Sequence, residues 1–210
     1  MDIYVLIAAS GISRRMGEDK LLLPLEVGTV IEETMEIFSH EKIKGVVLVC
    51  RDPVVEQMGR RHPNITSVVK GGEQRAESVM AGLRAIPEGS YVLVHDGARP
   101  FLSDAALERA IEAAEKKLCF FLGIPLRDTL KEMESHVVKR TPPREHFVLA
   151  QTPQGAPRDL LLAAYEEAKR AGFVGTDDCS YLEFYGVEVV LVPGEEGNWK
   201  LTFPEDRRLL

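Results

Sequence analysis

Tyr91-Val-Leu-Val-His-Asp-Gly-Ala-Arg-Pro100 decides the fold. Its first half is a continuous apolar run, the pattern of a strand buried on both faces, as in sheets covered by helices front and back. The run then closes with an acid, Asp96, and a base, Arg99, three residues apart. In open α/β sheets ligands gather beyond the carboxyl ends of the strands, which is where Asp96 stands. A carboxylate holds a hard divalent cation and a guanidinium grips phosphate through paired hydrogen bonds, so the pair suits a metal-bound phosphate substrate. The same residues also make an ordinary turn, since Asp, Gly and Pro favour one, and the segment alone leaves both readings open.

Outward from this strand the rhythm repeats. Apolar, β-rich runs recur at Ile3–Ala9, 46–50, 66–69, 91–95, 120–124 and 187–192, and most segments between them have helical character. The clearest helices are expected at 103–117, opened by a Ser cap, at Arg158–Ala171 and at Arg75–Ala85. Strands alternating with helices predict an α/β fold with a mostly parallel central sheet flanked by helices. Residues 125–157 break the rhythm: the stretch is polar, carries short alternating runs such as His136-Val-Val-Lys-Arg140, and ends in Gln151-Thr-Pro-Gln-Gly-Ala-Pro157. A segment of that length without a core is a lid, a binding arm or disordered. The reading favoured here is a protruding β-arm that packs on a second subunit, because two short strands alone are marginally stable.

The bulk numbers narrow the class. A chain of 210 residues with 45% hydrophobic content fits one domain, 1–210, and its formal net charge of -7 argues against a general nucleic-acid binder. Cys50, Cys119 and Cys179 are widely spaced and form no Cys-x-x-Cys pair, which indicates neither a disulfide framework nor a zinc site. A cytoplasmic protein is expected: Met1-Asp2 leads into the first apolar run without a basic region, and no apolar run approaches a membrane span.

After the first strand comes Ala8-Ala-Ser-Gly-Ile-Ser-Arg-Arg-Met-Gly-Glu-Asp-Lys20. Small residues let backbone N–H groups approach phosphate oxygens, while Arg15 and Lys20 supply charge. The loop is neither a Walker A sequence nor Gly-x-Gly-x-x-Gly, so P-loop hydrolases and dinucleotide-binding dehydrogenases both lose ground. A solvated basic turn is the plainer alternative, and Arg14 fits it.

Five motifs in order, A-A-x-G-x-x-x-R-M…K, Gly71-Gly-Glu-Gln-Arg-Ala-Glu-Ser-Val79, V-H-D-G-A-R-P, Thr176-Asp-Asp178 and Lys200-Leu-Thr-Phe-Pro-Glu-Asp206, resemble the 2-C-methyl-D-erythritol 4-phosphate cytidylyltransferases over nearly the whole chain. The chain departs from that pattern at Ser13, which replaces a glycine, at Asp19, which replaces a proline, and at Gly97, which replaces an alanine. The resemblance implies a single Rossmann-like nucleotidyltransferase domain whose arm interlocks two subunits. It implies transfer of CMP from CTP to methylerythritol phosphate with release of pyrophosphate, a step of non-mevalonate isoprenoid synthesis, assisted by Mg²⁺. By the same resemblance Arg15, Lys20 and Lys200 handle the triphosphate and Asp96 is linked to the metal. Ala8, Ala9, Gly11, Gly72, Arg75 and Ser78 bind the nucleotide, and Arg99, Thr129, Arg144 and Thr152 the acceptor, the arm residues entering the partner's site. His95 is read as structural. Rival readings are a ribitol 5-phosphate cytidylyltransferase, a sugar-phosphate uridylyl- or guanylyltransferase, and a non-catalytic nucleotide-binding protein, which need not retain Lys20, Asp96 and Lys200 together.

Overall fold

The computed structural model describes residues 1–11, 19–203 and 205–206. Among the described residues seven of nine strands form the central sheet: β1 (Ile3–Ala9), β2 (Ile43–Cys50), β3 (Ile65–Lys70), β4 (Tyr91–Asp96), β5 (Phe120–Pro125), β8 (Val148–Pro157) and β9 (Val190–Pro193). The other two, β6 (Glu132–Glu134) and β7 (Val137–Arg140), pair as a separate hairpin. The main sheet runs β3-β2-β1-β4-β8-β5-β9, with every pairing parallel except those of β8, which is antiparallel to β4 and β5.

Period-two alternation along the strands feeds two cores. Ile3, Val5 and Ile7 of β1 and Tyr91 and Leu93 of β4 face α1 (Val30–Glu36), α2 (Pro53–Arg61) and α4 (Asp104–Glu115). Leu6, Val92 and Val94 face the other way, toward α3 (Arg75–Ala85), α5 (Arg158–Ala171) and α6 (Asp178–Phe184). Every residue of β4 is buried, and each Val or Leu so placed contributes roughly 1.5–3 kcal/mol of transfer free energy. Local chemistry sets the helix ends. The Asp52 carboxylate accepts from Val54 N at 2.7 Å and Val55 N at 3.2 Å ahead of Pro53, and Gly172 closes α5 at φ +71°, where a Cβ would be strained.

All six runs read as strands are strands, although 187–192 narrows to Val190–Pro193. Helices α3 and α5 have the boundaries read from sequence. The helix expected at 103–117 is Asp104–Glu115, because the Ser103 hydroxyl accepts from Ala106 N at 3.3 Å as an N-cap and Lys117 turns to φ +57°. The excursion differs more. Only 126–147 leaves the sheet, with the exposed β6–β7 hairpin at its far end, whereas 148–157 returns as β8. Its Pro153, Gly155 and Pro157 read as turn residues, yet 151–156 are buried between β4 and β5. Among the described residues no helix is long and apolar enough to cross a membrane.

Candidate active site

The chain steps outward from β1 to β2 and β3, then returns to place β4 on the other side of β1. That reversal opens a crevice beyond the carboxyl ends of β1 and β4, the usual ligand position in such sheets. A cleft of about 360 Å³ lies there, walled by residues 8–11 after β1, 96–98 after β4, 73–75 at the start of α3, and Lys20, Leu21 and Lys200. Two close approaches shape it. A Cβ on Gly71 would stand 2.4 Å from Ser10 Cβ, so glycine lets the loop after β3 pack on the loop after β1. One on Gly97 would meet Ala9 Cβ at 3.0 Å and Ala8 O at 3.3 Å, so an alanine there needs a shift of a few tenths of an ångström.

Asp96 is the charged centre of the cleft. Lys200 Nζ lies 2.8 Å from Oδ2, Arg99 Nε 3.4 Å from the same oxygen, and Arg75 Nη2 3.5 Å from Oδ1. Burial alone would raise the Asp96 carboxyl, but these cations outweigh it and hold the group well below the usual carboxylate range. Below Asp96 the hydrogen bonds run one way. Asp96 N–H donates to Thr152 Oγ1 at 3.1 Å, the Thr152 hydroxyl to His95 Nδ1 at 3.1 Å, and His95 Nε2–H to Arg99 O at 3.0 Å. The Arg99 carbonyl can only accept, which fixes the tautomer and makes Nδ1 the acceptor. Burial pushes His95 down to about 4, so it is neutral at pH 7 and has no free nitrogen for a reacting group. The structural reading of His95 therefore matches its position.

Lys20 Nζ donates to Leu201 O at 2.7 Å, tying the first loop to the chain beside Lys200. Asp19, where the family pattern has proline, caps the short 3₁₀ turn Lys20–Leu22 by accepting from Leu21 N at 3.1 Å. Ala8, Ala9, Gly11, Lys20, Arg75, Asp96 and Lys200 thus share one cleft. Arg99 and Thr152 lie behind Asp96, with Arg99 Nη1 donating to Asn198 O at 2.8 Å and Asn198 Nδ2 to Thr152 O at 2.8 Å. Ser78 is fully buried. Its hydroxyl accepts from Gly72 N at 3.1 Å, contacts Ser10 Oγ at 2.6 Å and donates to Gln74 O at 3.1 Å, so it braces the cleft wall from behind instead of lining it. Thr129 and Arg144 do not border the cleft: both lie on the excursion, where Arg144 Nη1 donates to Arg127 O at 2.6 Å. Arg15 and Ser13 fall outside the described residues.

Sequence reasoning gave no role to Asn198, which joins Arg99 to Thr152, or to Asp178, which accepts from Arg75 Nη1 at 2.8 Å and Nη2 at 2.6 Å. The Thr176-Asp-Asp178 motif was visible; its partner, 103 residues away, was not. Among the described residues no group of three or more His, Cys, Asp or Glu could hold a metal unaided. One carboxylate nonetheless suits Mg²⁺, which takes one or two from protein and completes its shell with substrate phosphate and water.

Comparison with known proteins agrees with this geometry. Residues 3–209 match the family model described as IspD: 2-C-methyl-D-erythritol 4-phosphate cytidylyltransferase. The chain is 40% identical to the protein of that name from Geotalea uraniireducens, covering 100% of this chain and 95% of the relative, and 36% identical to that from Halalkalibacterium halodurans, covering 98% and 94%. Among solved structures it superposes on the 2-C-methyl-D-erythritol 4-phosphate cytidylyltransferase of Thermus thermophilus with a TM-score of 0.83 at 33% identity, covering 100% and 96% of the chains. The 4-diphosphocytidyl-2C-methyl-D-erythritol synthase of Anaerococcus prevotii gives 0.85 at 30%, covering 97% and 94%. A cleft at the sheet's reversal point, a carboxylate ringed by cations and a match along almost the entire chain lead to one assignment: this protein belongs to the 2-C-methyl-D-erythritol 4-phosphate cytidylyltransferase family.

Proposed function

We propose that the cleft at β1 and β4 binds CTP and that its cations carry transfer of CMP to the phosphate of methylerythritol phosphate. The observation that carries this reading is the gathering of Lys200, Arg75 and Arg99 within 3.5 Å of Asp96, with Lys20 on the same cleft. Two polyanions must meet there, and preorganised charge is what such a reaction demands. An oxygen of the acceptor phosphate attacks the α-phosphorus in line. The new P–O bond forms as the bond to the oxygen bridging the α- and β-phosphorus breaks, and pyrophosphate leaves with that oxygen. The acceptor phosphate is already ionised, so no general base is required.

In this reading Lys20, Lys200 and Arg15 hold the triphosphate, and main-chain groups of Ala8, Ala9, Gly11 and Gly72 read the cytosine, with Ser78 fixing their loop. Mg²⁺ held by Asp96 would neutralise charge on the phosphates. Arg99 and Thr152, behind Asp96, lie on the side of the acceptor site, with Thr152 bracing Asp96 through its N–H. Thr129 and Arg144 of the partner subunit complete that site, which makes the active species a homodimer. Support for the dimer comes from the excursion, where Met133, Val137, Val138 and Phe147 are exposed, and from the adjoining start of β8, where Val148 and Leu149 are exposed. A cytoplasmic setting fits three unpaired cysteines.

Pyrophosphate release measured across the four common NTPs and two acceptors tests the proposal. Turnover should require CTP with methylerythritol phosphate; preference for ribitol 5-phosphate, or for another nucleotide, overturns it.

A further inference from the structure

Arg75 faces two carboxylates. Its terminal nitrogens engage Asp178 at 2.8 and 2.6 Å in a bidentate pair, while Nη2 stands 3.5 Å from Asp96. Asp178 opens α6 and is 1% exposed, and its Oδ1 also accepts from the Tyr165 hydroxyl at 2.6 Å. Tyr165, itself buried on α5, stacks on Tyr181 of α6 with ring centroids 4.0 Å apart. The start of α6 is further pinned to the sheet. Gln154 of β8 donates Nε2 to Asp177 Oδ2 at 2.8 Å and accepts from Cys179 N at 2.8 Å through Oε1. Such a fork-to-fork pair fixes the plane of the guanidinium as well as its position.

We propose that Asp178 is a positioning residue for cytidylyl transfer: it holds Arg75 along the cleft wall, 3.5 Å from Asp96 and not closed upon it. Without the Asp178 carboxylate, Asp96 is the carboxylate among the described residues still paired with the guanidinium, which closes on it. That movement withdraws a cation from the nucleotide and masks the carboxylate that the reaction uses. Asp178 touches no reacting atom and works through Arg75 alone. The link through Gln154 sets this clamp on the same strand as Thr152, which braces Asp96 from behind, so one element supports both Arg75 and Asp96.

This inference rests on the proposed placement of CTP, and a double-mutant cycle separates the two. Asp178→Asn should lower kcat/KM at least about tenfold, as misplaced charge contacts do. In an Arg75→Met background the same change should cost less than about twofold, because nothing remains to be aimed. The readout that a purely structural role would not move is kcat/KM measured well below the Tm of each variant, and thermal melting reports the ion pair separately. Asp178→Asn should lower Tm in the wild-type chain, yet raise it in Arg75→Met, where it removes a buried carboxylate left without its cation. Tyr165→Phe, a milder change, should reduce kcat/KM severalfold and have no further effect in Asp178→Asn. Additive losses in the cycle, or full activity in Asp178→Asn, overturn the positioning role while the CTP site stands. Full activity in Arg75→Met likewise overturns the positioning role, whereas full activity in Lys200→Met overturns the placement of CTP on which it rests.

Discussion

Asp96→Asn should separate two effects of one carboxylate. At neutral pH Asp96 carries a full negative charge into the cleft, because Lys200, Arg75 and Arg99 hold it ionised against its burial. Lys200 Nζ is 2.8 Å from Oδ2, so an anion bonded to the outer side of the same ammonium sits about 5.5 Å from the carboxylate. At an effective dielectric of about 20 that separation costs about 3 kcal/mol per phosphate charge. Screening in the open cleft reduces the figure, and about 1–2 kcal/mol is expected to survive, or about five- to thirtyfold in affinity. With EDTA present, titration calorimetry should therefore show tighter CTP binding in the variant than in the wild type. With Mg²⁺ present the order reverses in turnover: the amide keeps the shape but loses the charge that holds the cation, and kcat should fall about a hundredfold or more. Unchanged or weaker metal-free binding would refute the placement of the triphosphate beside Asp96. Near-normal turnover with Mg²⁺ would refute the metal role.

Lys20→Ala should lower kcat about a hundredfold with little change in Tm, and a rate within threefold of wild type would remove Lys20 from the phosphate path. Because Pro125 pairs with Val148, replacing 126–147 by an Asn-Gly turn closes the β5–β8 hairpin; the product should be monomeric by light scattering, and a persistent dimer refutes the arm as the contact. Arg144→Met should raise the acceptor KM and spare CTP binding. Mixed with Asp96→Asn chains it should regain activity, since a site shared between subunits leaves one intact site per mixed dimer; no rescue places Arg144 in its own subunit's site. Burial holds His95 at about 4, below its ordinary 6.5, so between those values the unfolded chain binds a proton that the folded chain refuses. Stability of the metal-free protein should fall as pH drops through that window, by an amount on the order of 3 kcal/mol, and His95→Asn should flatten the slope; an equal slope in the variant assigns it elsewhere.

The parts legible in sequence are those whose physics is local. β1 and β4 declare themselves through unbroken apolar runs, and α3 and α5 through periodicity and capping, because both faces of the sheet are covered. The loop after β1 and the turn after β4 are visible because phosphate chemistry restricts residue type at a strand's end. β8 escapes for the opposite reason. Its Gln151, Thr152 and Gln154 are buried through hydrogen bonds to Glu195, Asp96 and Asp177, so a central strand carries the composition of a turn. No local pattern announces Asp178 as the partner of Arg75. Nor does one announce that Ser78, within a nucleotide-binding motif, spends its hydroxyl on its own loop.

The order in which β8 enters the sheet bears on how the chain can fold. β4 and β5 are separated by it and pair only with it on that side, yet β8 lies later in sequence than either. While the first 147 residues are emerging, the inner edges of β4 and β5 are both unfilled, each with unpaired N–H and C=O groups and buried-type side chains beside them. Their parallel orientation makes direct β4–β5 pairing a ready trap, one that must be undone before β8 can insert. Commitment to the native sheet therefore comes late in synthesis, and a nascent chain stalled ahead of Val148 should be the most aggregation-prone form of this protein.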